Sequence, residues 1–220
     1  MHYVAFPTSY DWQQIFSKWK VPFEIIILQK QDILVLNDPL KFFINTDGVL
    51  TTIKKYGSNH SAISRLNLPN TLITTSLYDN NKNPHYEVYS LTNACIIVLS
   101  KNNIKKNTIL YKYLQLLESY SLKSQLIVTE SLITMFMQRS VKRRLVVFLL
   151  LLSKYVGKTS VTGIKLNCYL THNYLAQALC TSRVTITKCI SELKKEFLVV
   201  KKGIITIHSP INLTYYVLDT

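Results

Sequence analysis

The sequence predicts an α+β chain in three consecutive parts: a small antiparallel β-roll, one long helix, and a helical head that carries a β-hairpin. Three observations predict it. Short β-rich runs separated by Asn, Asp, Pro and Gly fill residues 21–101. Neither Gly nor Pro interrupts 108–138. Residues 171–193, THNYLAQALCTSRVTITKCISEL, space their apolar positions as two helices joined by a tight turn, and a lysine-tipped hairpin signal follows.

The β part reads as FEIIILQ, DILVL, KFFINTDGVLTTIKKY, SAISRLNL, HYEVYSL and ACIIVLS. Runs of this length and spacing suit a small antiparallel barrel or jelly roll, with Gly48 turning one hairpin. In the next part Leu110, Tyr113, Leu114, Leu117 and Tyr120 form a stripe at spacings of three and four. Leu126, Ile127, Leu132, Ile133, Met135 and Phe136 extend the apolar character. A helix of roughly 30 residues spans about 45 Å, more than one small domain covers, so a partner helix is the expected cover. Packing on its own β domain is the alternative. Ser124 and Ser131 break the repeat.

The head begins with an eight-residue apolar run, Leu145 to Leu152, far too short for a membrane span and suited to a buried helix. Lys142, Arg143 and Arg144 precede it and read as a solvated helix start more readily than as DNA contacts. Thr171 suits the cap of a helix that buries Leu175, Ala176 and Leu179. Thr181 or Ser182 caps a second helix that buries Ile186, Cys189, Ile190 and Leu193. Arg183, Val184, Thr185, Thr187 and Lys188 are left on its other faces near the N-terminus. Such a helix places donors and small apolar groups against base edges in the major groove. Arg183 suits guanine O6 and N7, Val184 a thymine methyl, and Lys188 a base or a phosphate. Ser182 and Thr185 suit a phosphate oxygen, and His172 reads as a phosphate contact rather than a metal ligand or base. A helical hairpin with a merely polar face has the same spacing. The sequel separates the two: Phe197 to Val200 and Ile204 to Ile207 flank Lys201, Lys202 and Gly203, a hairpin with a glycine for its positive φ. These lysines lie near a DNA backbone if the hairpin is a wing, or simply solubilise a turn.

Charge agrees with a polyanionic partner. The formal net charge is +14 and the pI about 9.6, and residues 139–220 hold 13 basic side chains against three acids. Positive charge favours nucleic acid without choosing DNA over RNA. A membrane surface is the competing partner, but no basic amphipathic helix or lipidation signal supports it. The four cysteines form no C-x-x-C pair and no zinc spacing, the five histidines are scattered, and no phosphate loop or nucleophile triad stands out. Neither an enzyme nor a metal site is expected. Lysine outnumbers arginine 21 to five, the residue usage of an adenine- and thymine-rich genome. MHYVAFPTSYDWQQIF shows no signal or transit peptide.

RLVVFLLLL (144–152), LTHNYLAQAL (170–179), TSRVTITK (181–188) and KKGIITIHSPINL (201–213) resemble the DNA-binding domain of the Crp-Fnr family of regulators. The likeness is strongest to the NtcA-type global nitrogen regulators of cyanobacteria and red-algal plastids. The hairpin FFINTDGVLTTIKKY is similar, more weakly, to one in the cyclic-nucleotide-binding β-roll. The resemblance implies an effector-sensing β-roll (1–107), a dimerisation helix (108–138) and a winged helix-turn-helix (139–220). It implies a homodimer on a palindromic site in double-stranded DNA, which recruits RNA polymerase as an activator of nitrogen-responsive genes. The location would be a plastid stroma, or the cytoplasm of a cyanobacterial or low-GC cell. Two departures stand out. Cys180 holds the turn position usually filled by glycine. LPNTLITTSLYDNNKNPHYEV lacks the Gly, Glu and Arg that hold a cyclic nucleotide, so that ligand is not expected. For 2-oxoglutarate, the effector of the nitrogen type, the glycine-containing FGVL segment becomes Leu72, Ile73, Thr74 and Thr75. The strand arginine is not recovered, and only Arg139 matches an effector contact. A constitutive architectural DNA- or RNA-binding protein that has lost effector sensing is the alternative.

Overall fold

The computed structural model of the chain describes residues 9–36, 38, 40–56, 60–73, 85–104, 108–201 and 203–218. Its elements, in chain order, begin with helix α1 (Ser9–Lys18) and strands β1 (Phe23–Leu28), β2 (Ile33–Val35), β3 (Lys41–Asp47), β4 (Leu50–Tyr56), β5 (His60–Asn67), β6 (Thr71–Ile73), β7 (His85–Ser90) and β8 (Ala94–Ser100). Helices α2 (Lys101–Ile104), α3 (Thr108–Phe136) and α4 (Val141–Val156) follow. The chain then forms β9 (Gly157–Ser160), β10 (Gly163–Leu166), α5 (His172–Ala178), α6 (Arg183–Leu193), β11 (Leu198–Lys201), β12 (Ile204–Ile207) and α7 (Pro210–Leu218). Two compact units result: Met1–Thr52 with Leu66–Leu126, and Ile53–Arg65 with Ile127–Thr220. The long helix α3 contributes to both.

The eight N-terminal strands make two four-stranded sheets, ordered β1-β8-β3-β6 and β2-β7-β4-β5, as expected of a jelly roll. Strand β8 is central and apolar on both sides, so Ile96, Ile97, Val98 and Leu99 are all buried. Strand β3 pairs with it antiparallel, with a bulge between Asn45 and Asp47. Asn45 is fully buried, and its amide nitrogen donates to the carbonyls of Gly48 and Leu68, each at 2.9 Å. One side chain thereby ties the β3–β4 turn to the β5–β6 turn. Gly48 has φ +85°, and a Cβ there would run into the Asn93 and Ala94 backbone, so the predicted glycine turn is sterically required.

The apolar stripe of α3 divides in two. Leu110, Leu114 and Leu117 face the roll, in one core with Trp12, Phe16, Ile44, Leu72, Ile97, Leu99 and Ile104. The stripe predicted for a partner therefore covers the chain's own β domain along its first three turns. The residues left outside are Leu116, Leu122, Leu126, Ile127, Ile133 and Met137, all more than half exposed. Helix α1 was not foreseen; its Trp12 and Phe16 rings stack at 5.3 Å and are fully buried.

At the edge strand β6 the Leu72 N–H donates to Ser121 Oγ of α3 at 2.9 Å, and Gln125 Nε2 donates to the Leu72 carbonyl at 3.3 Å. Both edge groups of this buried residue are thus satisfied by the helix rather than by water or another strand.

In the second unit α4 buries Leu145, Val146, Phe148, Leu149, Leu151 and Leu152, as its apolar run predicts. The basic triplet before that run is only partly solvated. Lys142 Nζ lies 3.1 Å from Glu192 Oε2 and 5.1 Å from the Tyr216 ring centroid, linking α4 to α6 and α7. Burial pulls the Lys142 pKa down, but the Glu192 hydrogen bond and the charges of Tyr216 and Glu192 outweigh it and hold the pKa above the ordinary value. Arg144 Nε donates to the Gln138 carbonyl at 3.0 Å, and Arg143 N donates to the capping Ser140 Oγ at 3.2 Å. Strands β9 to β12 form one antiparallel sheet ordered β11-β12-β10-β9.

Candidate nucleic-acid interface

The helix pair of the head is built from local signals. Thr171 caps α5, its hydroxyl accepting from Tyr174 N at 3.0 Å. Helix α5 then buries Tyr174, Leu175, Ala176 and Ala178. Its end is a Schellman turn: Thr181 N–H donates to Ala176 C=O at 2.9 Å and Cys180 N–H to Gln177 C=O at 3.4 Å. The residue between helix and turn must be left-handed in this motif, and Cys180 has φ +54°. A cysteine therefore occupies a glycine conformation, and the turn geometry survives the departure noted in the sequence.

Ser182 caps α6, accepting from Thr185 N at 3.1 Å, and its oxygen lies 2.8 Å from Thr185 Oγ1. Ile186, Cys189, Ile190 and Leu193 are buried on the inner face. Burial, then the nearby Glu192 carboxylate, pushes the Cys189 thiol up, so it stays a small apolar group. Ser182, Arg183, Val184, Thr187 and Lys188 are exposed, and Thr185 is half-buried. Val184 is 65% exposed on the first turn of α6. An apolar side chain left in water between a guanidinium and a hydroxyl suits contact with a base methyl.

His172, first residue of α5, meets α6 directly: its Nδ1 lies 2.9 Å from Thr187 Oγ1, and the Thr187 hydroxyl donates to the Arg183 carbonyl at 2.9 Å. Burial, and then the charges of Lys194 and Arg183, push the His172 pKa below the ordinary imidazole value. The sequence assigns Thr187 no role of its own; a pair 15 residues apart becomes visible only once the helices cross.

Strands β11 and β12 pair as predicted, Leu198 with Ile207 through to Lys201 with Ile204. Gly203 has φ +75°, and a Cβ on it would collide with the Tyr169 ring. The wing tip is therefore seated two residues ahead of the α5 cap, with Lys201 exposed. Lys202 lies outside the described residues. His172, Ser182, Arg183, Val184, Lys188 and Lys201 all belong to this one unit.

The candidate effector residues are Arg139 and the segment Leu72 to Thr75. Arg139 is exposed in the connector between α3 and α4, beyond the helix end at Phe136. Leu72 and Ile73 are buried in β6, while Thr74 and Thr75 lie outside the described residues. Among the described residues no group of His, Cys, Asp and Glu could hold a metal, and no helix is long and apolar enough to cross a membrane.

Residues 143–215 match the family of Crp-like helix-turn-helix domains. The global nitrogen regulator of Nostoc sp. is 33% identical over 102 residues, 46% of this chain and 46% of that protein. By that alignment the chain spans about half the length of this relative. A helix-turn-helix type transcriptional regulator of Porphyra purpurea, ycf28, is 26% identical over 204 residues, 92% of this chain and 86% of its own. A CRP-family transcriptional regulator from Thermus thermophilus superposes with a TM-score of 0.71 at 13% identity, over 87% of this chain and 96% of that one. A second regulator from the same organism, of the CRP/FNR family, gives 0.67 at 18% identity over 89% and 98%. Residues 143–215 thus belong to the Crp-like helix-turn-helix domains, the chain has the fold of CRP-family regulators, and the proteins it is similar to in sequence include global nitrogen regulators.

Proposed function

We propose that the protein is a sequence-specific, DNA-binding transcription regulator of the nitrogen-control type, and not an enzyme, that acts as a homodimer on a palindromic site. One observation carries the reading. Arg183, Val184 and Lys188 stand exposed on the first turns of a capped helix, beside a wing whose tip is fixed against Tyr169. Arg183, Val184 and Lys188 read bases; His172, Ser182, Thr185, Lys201 and Lys202 hold the backbone. The exposed apolar face of α3 supports pairing with a second copy, which would set two recognition helices about one DNA turn apart. Recruitment of RNA polymerase, activation rather than repression, and a plastid or cyanobacterial setting follow from the regulators it resembles.

A second reading concerns the switch. Ser121 and Gln125 already satisfy both edge groups of Leu72, where an effector of the nitrogen type would approach. This favours a reader that has lost effector sensing over one that needs 2-oxoglutarate, with Arg139 the one remaining candidate contact.

The test is selection from a random duplex library at about physiological salt, with and without 2-oxoglutarate. A palindrome enriched equally in both supports the constitutive reader; enrichment only with effector supports the gated one; no enrichment refutes sequence-specific binding. On the selected site Arg183→Ala should cost about 1 to 3 kcal/mol and relax one base position, whereas Lys201→Ala should weaken all sequences alike. Equal losses on every duplex would overturn the base-reading role of Arg183.

A further inference from the structure

Thr187 sits one turn into α6 with a single hydroxyl proton and two neighbours that compete for it. Its oxygen is 2.9 Å from the Arg183 carbonyl and 2.9 Å from His172 Nδ1. The carbonyl can only accept, so the hydroxyl proton goes there, as is common for threonine in a helix. The oxygen's remaining lone pairs then face Nδ1, which must carry a proton to complete the bond. The neutral ring is thereby held as the Nδ1–H tautomer, and Nε2 presents a bare lone pair. The charged groups acting on the ring are Arg183 and Lys194, both cationic. Burial acts in the same direction, so the free imidazole is neutral near pH 7.

We propose that Thr187 is a positioning residue that fixes His172 for a protonation-linked contact with a DNA backbone phosphate. The proposal rests on the reading of the α5–α6 face as a DNA interface. A phosphodiester oxygen only accepts hydrogen bonds, so it is repelled by a bare Nε2. When Nε2 takes one proton from solution, the ring becomes an imidazolium that donates Nε2–H to the phosphate while Nδ1–H stays on Thr187. No other bond changes. The phosphate's charge also offsets those of Arg183 and Lys194, which raises the imidazole pKa in the complex. Binding therefore takes up one proton per subunit between the lowered pKa of the free protein and the raised pKa of the complex. Affinity rises as pH falls through that window, by at most about tenfold per pH unit for one proton, and levels off outside it. Without the Thr187 hydroxyl the ring can turn or change tautomer, and a neutral Nε2–H could then donate without any proton uptake.

The experiment is fluorescence anisotropy of the full chain on a duplex, from about pH 5.5 to 8.5, the range in which histidine titrates, at fixed ionic strength, with circular dichroism to confirm folding. Wild type should bind more tightly as pH falls. His172→Gln, which keeps a neutral donor, should flatten the dependence; Thr187→Val should reduce it; Thr187→Ser should restore it. A flat wild-type profile, or a slope that His172→Gln leaves whole, overturns the proposal. A slope lost in His172→Gln but unaltered in Thr187→Val removes the positioning role. Failure to bind any duplex at any pH would instead refute the DNA reading on which the proposal rests.

Discussion

Cys180 offers the sharpest test of the helix-turn-helix geometry. It occupies the left-handed position of the Schellman turn with φ +54° and is exposed. A side chain with a Cβ costs roughly 1 to 2 kcal/mol there. Glycine removes that cost but returns about 0.5 to 1 kcal/mol through its greater freedom in the unfolded chain. Little buried area is lost because the thiol faces solvent. The net expectation for Cys180→Gly is a gain of about 0.5 to 1 kcal/mol, which for a chain of this size is a rise in Tm of roughly 1 to 4 °C. Cys180→Ala keeps the Cβ and should gain nothing, which separates relief of backbone strain from removal of a thiol. The assay is thermal and urea unfolding followed by far-UV circular dichroism on all three proteins. If glycine stabilises no more than alanine does, the turn is not left-handed at this residue and the Schellman assignment fails.

Other expectations follow from the packing. Ser121→Ala leaves the buried Leu72 N–H without an acceptor and should cost about 1 to 3 kcal/mol; a loss below about 0.5 kcal/mol in urea unfolding would mean that water replaces the hydroxyl. Glu192→Gln weakens a partly exposed pair and should cost no more than about 1 kcal/mol. The Lys142 pKa is raised, so the pair's contribution is whole below the ordinary lysine value of 10.5 and lost as pH rises through the higher folded value. Above neutral pH, urea midpoints of wild type and variant should therefore stay apart until strongly alkaline pH. Leu126→Glu combined with Ile133→Glu places charge on the exposed face of α3. Sedimentation equilibrium should show loss of a dimer with the fold intact, and an unchanged mass would remove this face from the interface.

What was legible in the sequence is what the chain encodes locally. The caps Thr171 and Ser182, the inner residues from Leu175 to Leu193, and the Gly203 turn act on neighbours a few residues away. The β runs were legible too, because each is a short apolar segment closed by turn residues. Strand β6, with three residues, and the pair β9 and β10, with four each, are too short to show a period of two. Helix α7 mixes Asn and Thr with two tyrosines and is fixed by tertiary contacts: Leu213 is fully buried and Tyr216 meets both Phe197 and Lys142. The stripe on α3 misled for a related reason. Spacings of three and four show that one face is covered but not by what. Only the structure shows Leu110, Leu114 and Leu117 against Trp12 and Ile97, with Leu122 and Leu126 exposed.

The same distinction bears on how the two halves of such a regulator can diverge. The helix pair of the reading head needs about 23 consecutive residues, 171–193, to set its caps, turn and exposed donors, so that part of the interface is preserved by preserving one segment. The candidate sensing contact is instead assembled from distant pieces: at the contact of β6 with α3 the Leu72 N–H donates to Ser121, 49 residues away. Substitutions in either piece leave the fold intact provided the edge groups of Leu72 find partners, and Ser121 and Gln125 supply them from within the chain. An effector competing for the Leu72 N–H must displace a buried hydrogen bond whose hydroxyl also donates to the Leu117 carbonyl at 2.7 Å. Its net affinity is reduced by what that bond contributes, about 1 kcal/mol or roughly fivefold in Kd. Ser121→Ala therefore separates the two readings of the switch: a gated regulator should bind 2-oxoglutarate more tightly once the hydroxyl is gone, whereas a constitutive reader should lose stability and gain no ligand response.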